Sequence, residues 1–169
     1  WQPNQEGLVW FIENCWPKIV SKIPNLRFNV AGRNAPPWIK ELLEKHKINF
    51  LGEVDDAVVF MQNNAVMIVP LHSGSGMRIK IIEGMALGKA IISTSIGAEG
   101  IEVTHNQNII IADTAEAFAN AVIELLRDSC FANTLGKNAQ DFISKNYNND
   151  NITRALLDFY QNQTSNTKI

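Results

Sequence analysis

Two cations, a carboxylate and paired glycines share one short stretch of this sequence: His72-Ser73-Gly74-Ser75-Gly76-Met77-Arg78-Ile79-Lys80-Ile81-Ile82-Glu83. Gly74 and Gly76 permit left-handed backbone angles and close approach of a ligand. A helix beginning just after them presents unpaired N–H groups and a partial positive charge. Phosphate is drawn to such helix ends, and Arg78 and Lys80 add full charges within the same turn. Glu83, three residues after Lys80, falls on roughly the same helical face. Cations for a diphosphate and a carboxylate for ribose hydroxyls suit a nucleotide. The rival reading is a plain Gly-rich connection with solvated charges, and on the pattern alone the two stand even. No Gly-Lys-Ser/Thr completes a Walker loop. After Gly76 the next glycine is Gly84, so the spacing is not G-x-G-x-x-G either.

The elements around this stretch must place it. Apolar runs at Ala65–Pro70 and Lys89–Thr94 flank it, giving the order strand, loop, helix, strand. That is a crossover unit of a parallel sheet. Upstream, Asn4 is a candidate cap for a helix with Leu8, Phe11, Ile12, Cys15, Ile19 and Val20 at helical spacing. Pro17 lies inside it and predicts a kink. Leu26–Ala31 reads as a strand ended by Gly32-Arg33, at the strand end where open α/β sheets hold ligands. There Arg33 faces a phosphate or plain solvent. Pro36-Pro37 open a helix through Lys45. Ile48–Leu51 is a short strand closed by Gly52-Glu53-Val54, again at a ligand-facing end. Asp55 and Asp56 suggest metal binding or a phospho-acceptor, but capping of a helix to Gln62 is the better reading.

Downstream of Thr94, Ser95-Ile96-Gly97-Ala98-Glu99-Gly100 is a second small-residue loop, with Glu99 set between glycines. Asn108–Ala112 reads as the last strand. Asp113 or Thr114 caps a helix striped by Ala117, Ala121, Val122, Leu125 and Leu126. Further helices follow at about 130–145 and around Ile152, Leu156, Phe159 and Tyr160, and a polar tail begins near Asn162. The alternation, with nearly continuous apolar strands, predicts an α/β fold: a doubly wound, mostly parallel, Rossmann-like sheet with helices on both faces. Residues 1–169 read as one such domain.

Composition narrows the function classes. The chain has 169 residues, 46% hydrophobic and 19% charged, as a globular domain with its own core does. A net charge of -2 with no basic run argues against nucleic acid as partner. Cys15 and Cys130 are too few for a disulfide framework and lack metal-ligand spacing, which points to a reducing, cytoplasmic compartment. No secretion signal and no membrane-length apolar run is present. His46, His72 and His105 are scattered; only His72 lies beside the Gly/Ser loop, within reach of a ligand there. No serine–histidine–acid set can be assembled from spacing. Trp1-Gln2-Pro3-Asn4 reads as a loop entering a helix, which suggests a piece of a longer chain.

Several blocks together resemble a known family. Pro3-Asn4-Gln5-Glu6-Gly7-Leu8 leading to Trp16-Pro17, Val30-Ala31-Gly32-Arg33, Phe50-Leu51-Gly52-Glu53-Val54-Asp55, Gly74 through Lys89, and Ser93-Thr94 with Gly97-Ala98-Glu99-Gly100 look like the C-terminal half of group-1 retaining glycosyltransferases of GT-B fold. The resemblance covers nearly the whole chain in the family's order. It implies that this is the donor-binding half of an enzyme, facing an N-terminal acceptor domain across a cleft. By the same resemblance Glu83 is the second glutamate of the E-x7-E motif and grips the donor ribose. Lys80 and Arg78 lie in the phosphate-facing turn. Gly74, Ser75, Gly76 and Met77 meet the sugar and diphosphate, and Gly52, Glu53 and Val54 line the base.

Two departures stand out. Ser75 occupies the position of the motif's first glutamate, so direct carboxylate contact with the donor sugar is in doubt. The family's first strand and glycine loop are absent before Trp1, which predicts a gap in the sheet beside Leu26–Ala31, with exposed edge hydrogen bonds. No Asp-x-Asp follows a strand, so the expected mechanism needs no metal or other cofactor. The family suggests polysaccharide or glycolipid assembly, with peripheral membrane association through the missing half. The isolated chain is expected to be inactive. The rival functions are a sugar-nucleotide epimerase, a non-catalytic receiver-like module supported only by Asp55-Asp56, and a pseudo-enzyme scaffold.

Overall fold

The structure, a computed structural model, describes residues 1–147 together with Thr153 and Leu157. Of the last helix read from the sequence, carrying Ile152, Leu156, Leu157, Phe159 and Tyr160, Leu157 is described, as helical and exposed; the other four and the polar tail lie outside the described residues.

The first helical stretch has three parts. Helix α1 spans Gln2–Trp10, a π-helical turn spans Phe11–Cys15, and α2 spans Trp16–Lys22. Pro17 has no N–H to donate, and its ring crowds the carbonyl four residues back. The chain answers with one widened turn, in which the Trp16 N–H bonds the Phe11 carbonyl. The break expected from Pro17 is therefore a π-turn just before it. Asn4 does not cap. The helix begins earlier, with Trp1 at the cap position, because Pro3 is well suited to a first turn. The Asn4 side chain is left for another partner.

The strands are shorter than their apolar runs and form two parallel sheets. Strand β1 (Asn29–Val30) pairs with β2 (Asn49–Phe50), with α3 (Pro37–Lys45) between them in sequence. Strands β3 (Val66–Val69), β4 (Ala90–Ser93) and β5 (Ile110–Ile111) form the second sheet, in that order. Val66 pairs with Ala90 and Val69 with Ser93. No backbone ladder joins β1 to β3. A side-chain bond bridges that interval instead: Asn29 Nδ2 donates to Asn64 Oδ1, just before β3, at 2.7 Å, while Asn29 Oδ1 accepts from Asn49 Nδ2 of its own sheet at 2.9 Å. The gap predicted beside Leu26–Ala31 thus lies between the two sheets.

Strand β4 is buried along its whole length. Ile92 packs with Phe11, Ile12, Ile19 and Phe118, whereas Ile91 packs with Val69, Leu71, Ile81 and Met85. Successive side chains of a strand point to opposite faces, so both faces of this sheet are covered. Helices α5 (Ile79–Ala86), α6 (Ala115–Arg127) and α7 (Ser129–Asn146) supply much of the cover. Helix α4 (Ala57–Gln62) is capped by Asp56, whose Oδ1 accepts from the N–H groups of Val58 and Val59 at 2.7 and 3.1 Å. That removes the one support for a receiver-like module. Thr114 caps α6 through the Ala117 N–H.

Cys15 is fully buried among these apolar residues. Burial pushes its thiol up to about 12, against a smaller pull from Lys18. Cys130 is exposed. A thiol reagent at neutral pH should therefore modify Cys130 alone in the native chain and Cys15 only after denaturation, since the thiolate is the reactive form. Mass spectrometry of the labelled chain checks this.

Candidate functional site

The Gly/Ser loop leaves the carboxyl end of β3 and enters α5 at Ile79, with Arg78 at the cap position. Gly74 and Gly76 have φ of +99° and +86°, angles that L side chains rarely adopt. The second loop, from Ser95 to Gly100, lies against it: a Cβ on Gly100 would stand 3.8 Å from the Met77 Cα. This places Glu99, which is exposed, on a loop abutting Met77. The second loop is fixed by Thr94, whose hydroxyl donates to the Leu71 carbonyl and accepts from the Gly97 N–H at 3.0 Å. Gly97 is tightly held, since a Cβ there would lie 2.8 Å from the Val69 carbonyl oxygen.

The two cations of the motif part company. Lys80 sits in the first turn of α5, half-buried, and its Nζ donates to Asn4 Oδ1 at 2.9 Å. An ammonium has three donors, so two remain. Burial, and secondarily the nearby Arg78 charge, hold its pKa below the ordinary lysine value. Arg78 turns back into the loop instead of outward. It is only 7% exposed, and its Nη1 donates to the carbonyl oxygens of Ser75 and Gly76 at 2.6 and 2.5 Å. Its guanidinium lies 5.1 Å from the centre of the Trp1 ring, and Nε and Nη2 are buried without partners. Arg78 therefore organises the loop's carbonyls through Nη1 and keeps two further buried donors. Glu83 is exposed one turn further along α5.

The amino-terminal half of α1 walls the loop, a feature sequence reasoning missed. Ser73 Oγ donates to Glu6 Oε2 at 2.9 Å, and Gln2 Nε2 donates to Glu6 Oε1 at 2.7 Å. His72 is exposed, its ring 4.2 Å from that of Trp10 in an edge-on contact. A groove of about 600 Å3 runs along the same helix past Gln2, Glu6, Trp10 and Trp38. Trp1, Asn4 and Glu6 carry no local signal of these roles, because their partners lie far along the chain.

The other predicted residues cluster at the smaller sheet. The Gly32 N–H donates to the Gly52 carbonyl at 2.7 Å, and Gly52 has φ +69°. Arg33 and Glu53 pair at 2.5 Å, both exposed. Arg33, read from the sequence as facing a phosphate or solvent, is thus paired with a carboxylate at the surface. Val54 is half-buried beside them. Among the described residues no group of three or more His, Cys, Asp or Glu side chains could hold a metal. No described helix is long and apolar enough to cross a membrane.

Asp113 accepts from the Ser95 N–H at 2.7 Å and from Ser95 Oγ at 2.6 Å. These bonds hold its carboxyl below the usual range, with a small further contribution from His72. A carboxyl depressed in the folded state contributes stability above its unfolded pKa and loses it as pH falls through the folded value. Asp113→Asn should therefore lower stability at pH 7 and flatten the acid side of the stability profile below about pH 4. Urea unfolding at several pH values checks it.

Residues 1–128 match the family model described as "Glycosyl transferases group 1". This chain is a group 1 glycosyltransferase domain. A 44.6 kDa protein in the cps region of Klebsiella pneumoniae is 27% identical over 163 residues, covering 91% of this chain and 42% of that protein. The chain thus spans less than half of that relative. The S. aureus protein TarM, solved with UDP, superposes with TM-score 0.77 at 17% identity over 89% of this chain and 32% of TarM. The C-terminal domain of LpcC from Francisella tularensis superposes with TM-score 0.69 at 20% identity, over 87% of this chain and 81% of that one. The fold of this glycosyltransferase domain is accordingly the Rossmann-like α/β fold of those structures.

Proposed function

We propose that this glycosyltransferase domain binds a nucleoside-diphosphate sugar and is the C-terminal, donor-binding half of a two-domain enzyme. The observation that carries the reading is Lys80: a half-buried ammonium in the first turn of α5, beside two left-handed glycines, bonded only to a neutral amide among the described residues. Such a group attracts a diphosphate, and the loop and α5 N–H groups add to it. The TarM structure holds UDP, and the LpcC domain that superposes on this chain is named as C-terminal; both support the reading.

In this account Lys80 and the backbone at Gly76 and Met77 meet the diphosphate, while Glu83 takes the ribose hydroxyls. Ser75, Gly74, His72 and Glu99 border the sugar, and Gly32, Gly52, Glu53 and Val54 lie toward the base. Breaking the sugar–phosphate bond builds negative charge on the leaving diphosphate. Lys80 and the helix-end amides stabilise that charge, which is the role of a preorganised electrostatic site. The reaction proceeds with retention and without a metal. An N-terminal domain supplies the acceptor site, in polysaccharide or glycolipid assembly at the cytoplasmic face of a membrane. The isolated chain binds nucleotide weakly and transfers no sugar. Calorimetric titration of the folded chain with UDP and with GDP should give saturable heat for one of them; no heat from either overturns the reading.

A further inference from the structure

We propose that Asn4 is a positioning residue for Lys80, and that its neutrality leaves the lysine's positive charge uncompensated and open to a bound diphosphate; this rests on the donor reading above. The two side chains meet across 76 residues of sequence at 2.9 Å. Helix α1 is brought there by a close backbone approach, Gly7 packing directly on the Pro70 carbonyl. An amide oxygen accepts one N–H hydrogen bond from the ammonium and fixes its direction without cancelling the charge. A carboxylate at the same place would pair with it and weaken its pull on an anion. The charged group that acts on Lys80 is Arg78 from the loop. Glu6 is already engaged by Ser73 and Gln2. Asn4 is therefore the acceptor that sets where the ammonium points.

Asn4→Asp and Asn4→Ala in the 169-residue chain test this. Asn4 is exposed on a helix, so neither change should alter folding, which thermal melts confirm. The first readout needs no ligand: acylation of Lys80 by an amine reagent, followed by peptide mass mapping. The expected order of rates is Ala above Asn above Asp, because each stronger acceptor holds the proton more firmly. The second readout is calorimetric affinity for UDP or GDP, expected to fall about tenfold in Asn4→Asp. Equal acylation rates in all three chains, or an Asp variant that binds as well as the parent, overturns the proposal. A parent chain that binds neither nucleotide while the acylation order holds sinks the donor reading and the ligand half of the proposal, and leaves the Asn4–Lys80 contact standing.

Discussion

Lys80→Met in the intact enzyme should lower kcat/KM for sugar transfer by about a hundredfold or more, the scale seen when one preorganised donor to a developing oxyanion is removed. A hundredfold corresponds to about 2.7 kcal/mol of lost transition-state stabilisation. Stability should move the other way or not at all. The lysine's pKa is depressed by burial, so the folded state disfavours the charged form. A neutral side chain of similar length relieves that cost. The sign of the pH dependence follows from the same shift: activity falls as pH rises through the lowered lysine pKa, earlier than an ordinary lysine would dictate. Steady-state kinetics of the variant, with a thermal melt alongside, separate the two effects. Unchanged transfer would show that the charge plays no part and favour a scaffold role.

Arg78 and Lys80 looked equivalent in the sequence, and the reason they are not is geometric. Arg78 stands just before the helix in an extended conformation, with φ −89° and ψ 94°. Lys80, two residues on, is inside the first turn. The helix boundary decides which way each side chain leaves the backbone, and boundaries are what a sequence defines least well. What was legible was local. The Asp56 cap, the Thr114 cap and the apolar runs of β3 and β4 depend on residues a few positions apart, and periodicity reports them. The Asn4–Lys80, Glu6–Ser73 and Arg33–Glu53 contacts join segments far apart in the chain. They exist only once the sheets have set the helices in place. Asn4 misled for a related reason: it is a good cap residue, but Pro3 started the helix before it.

Gly7→Ala sets two opposed effects against each other. Alanine is favoured over glycine inside a helix by about 1 kcal/mol. The new Cβ, however, would overlap the Pro70 carbonyl oxygen and lie 3.0 Å from the Pro70 carbonyl carbon. Both are backbone atoms, so no rotamer change relieves the clash, and overpacking of this kind costs about 1–3 kcal/mol at typical sites. With nothing flexible to yield, the cost should reach the top of that range, and the net loss should be about 2 kcal/mol. For a chain of this size that is a fall in Tm of roughly 4–8 °C. The damage should also reach the site. If α1 lifts from Pro70, Asn4 leaves Lys80 and Glu6 leaves Ser73, so nucleotide affinity should fall along with stability even at temperatures where the chain is folded. Gly32→Ala is the matched control. Nothing lies within 4 Å of a Cβ there and its φ is not in the left-handed region, so it should shift stability by no more than about 0.5 kcal/mol. A Gly7→Ala chain that melts with the parent and binds as well would mean that α1 is not seated on Pro70, and that the wall it builds beside the Gly/Ser loop is misplaced.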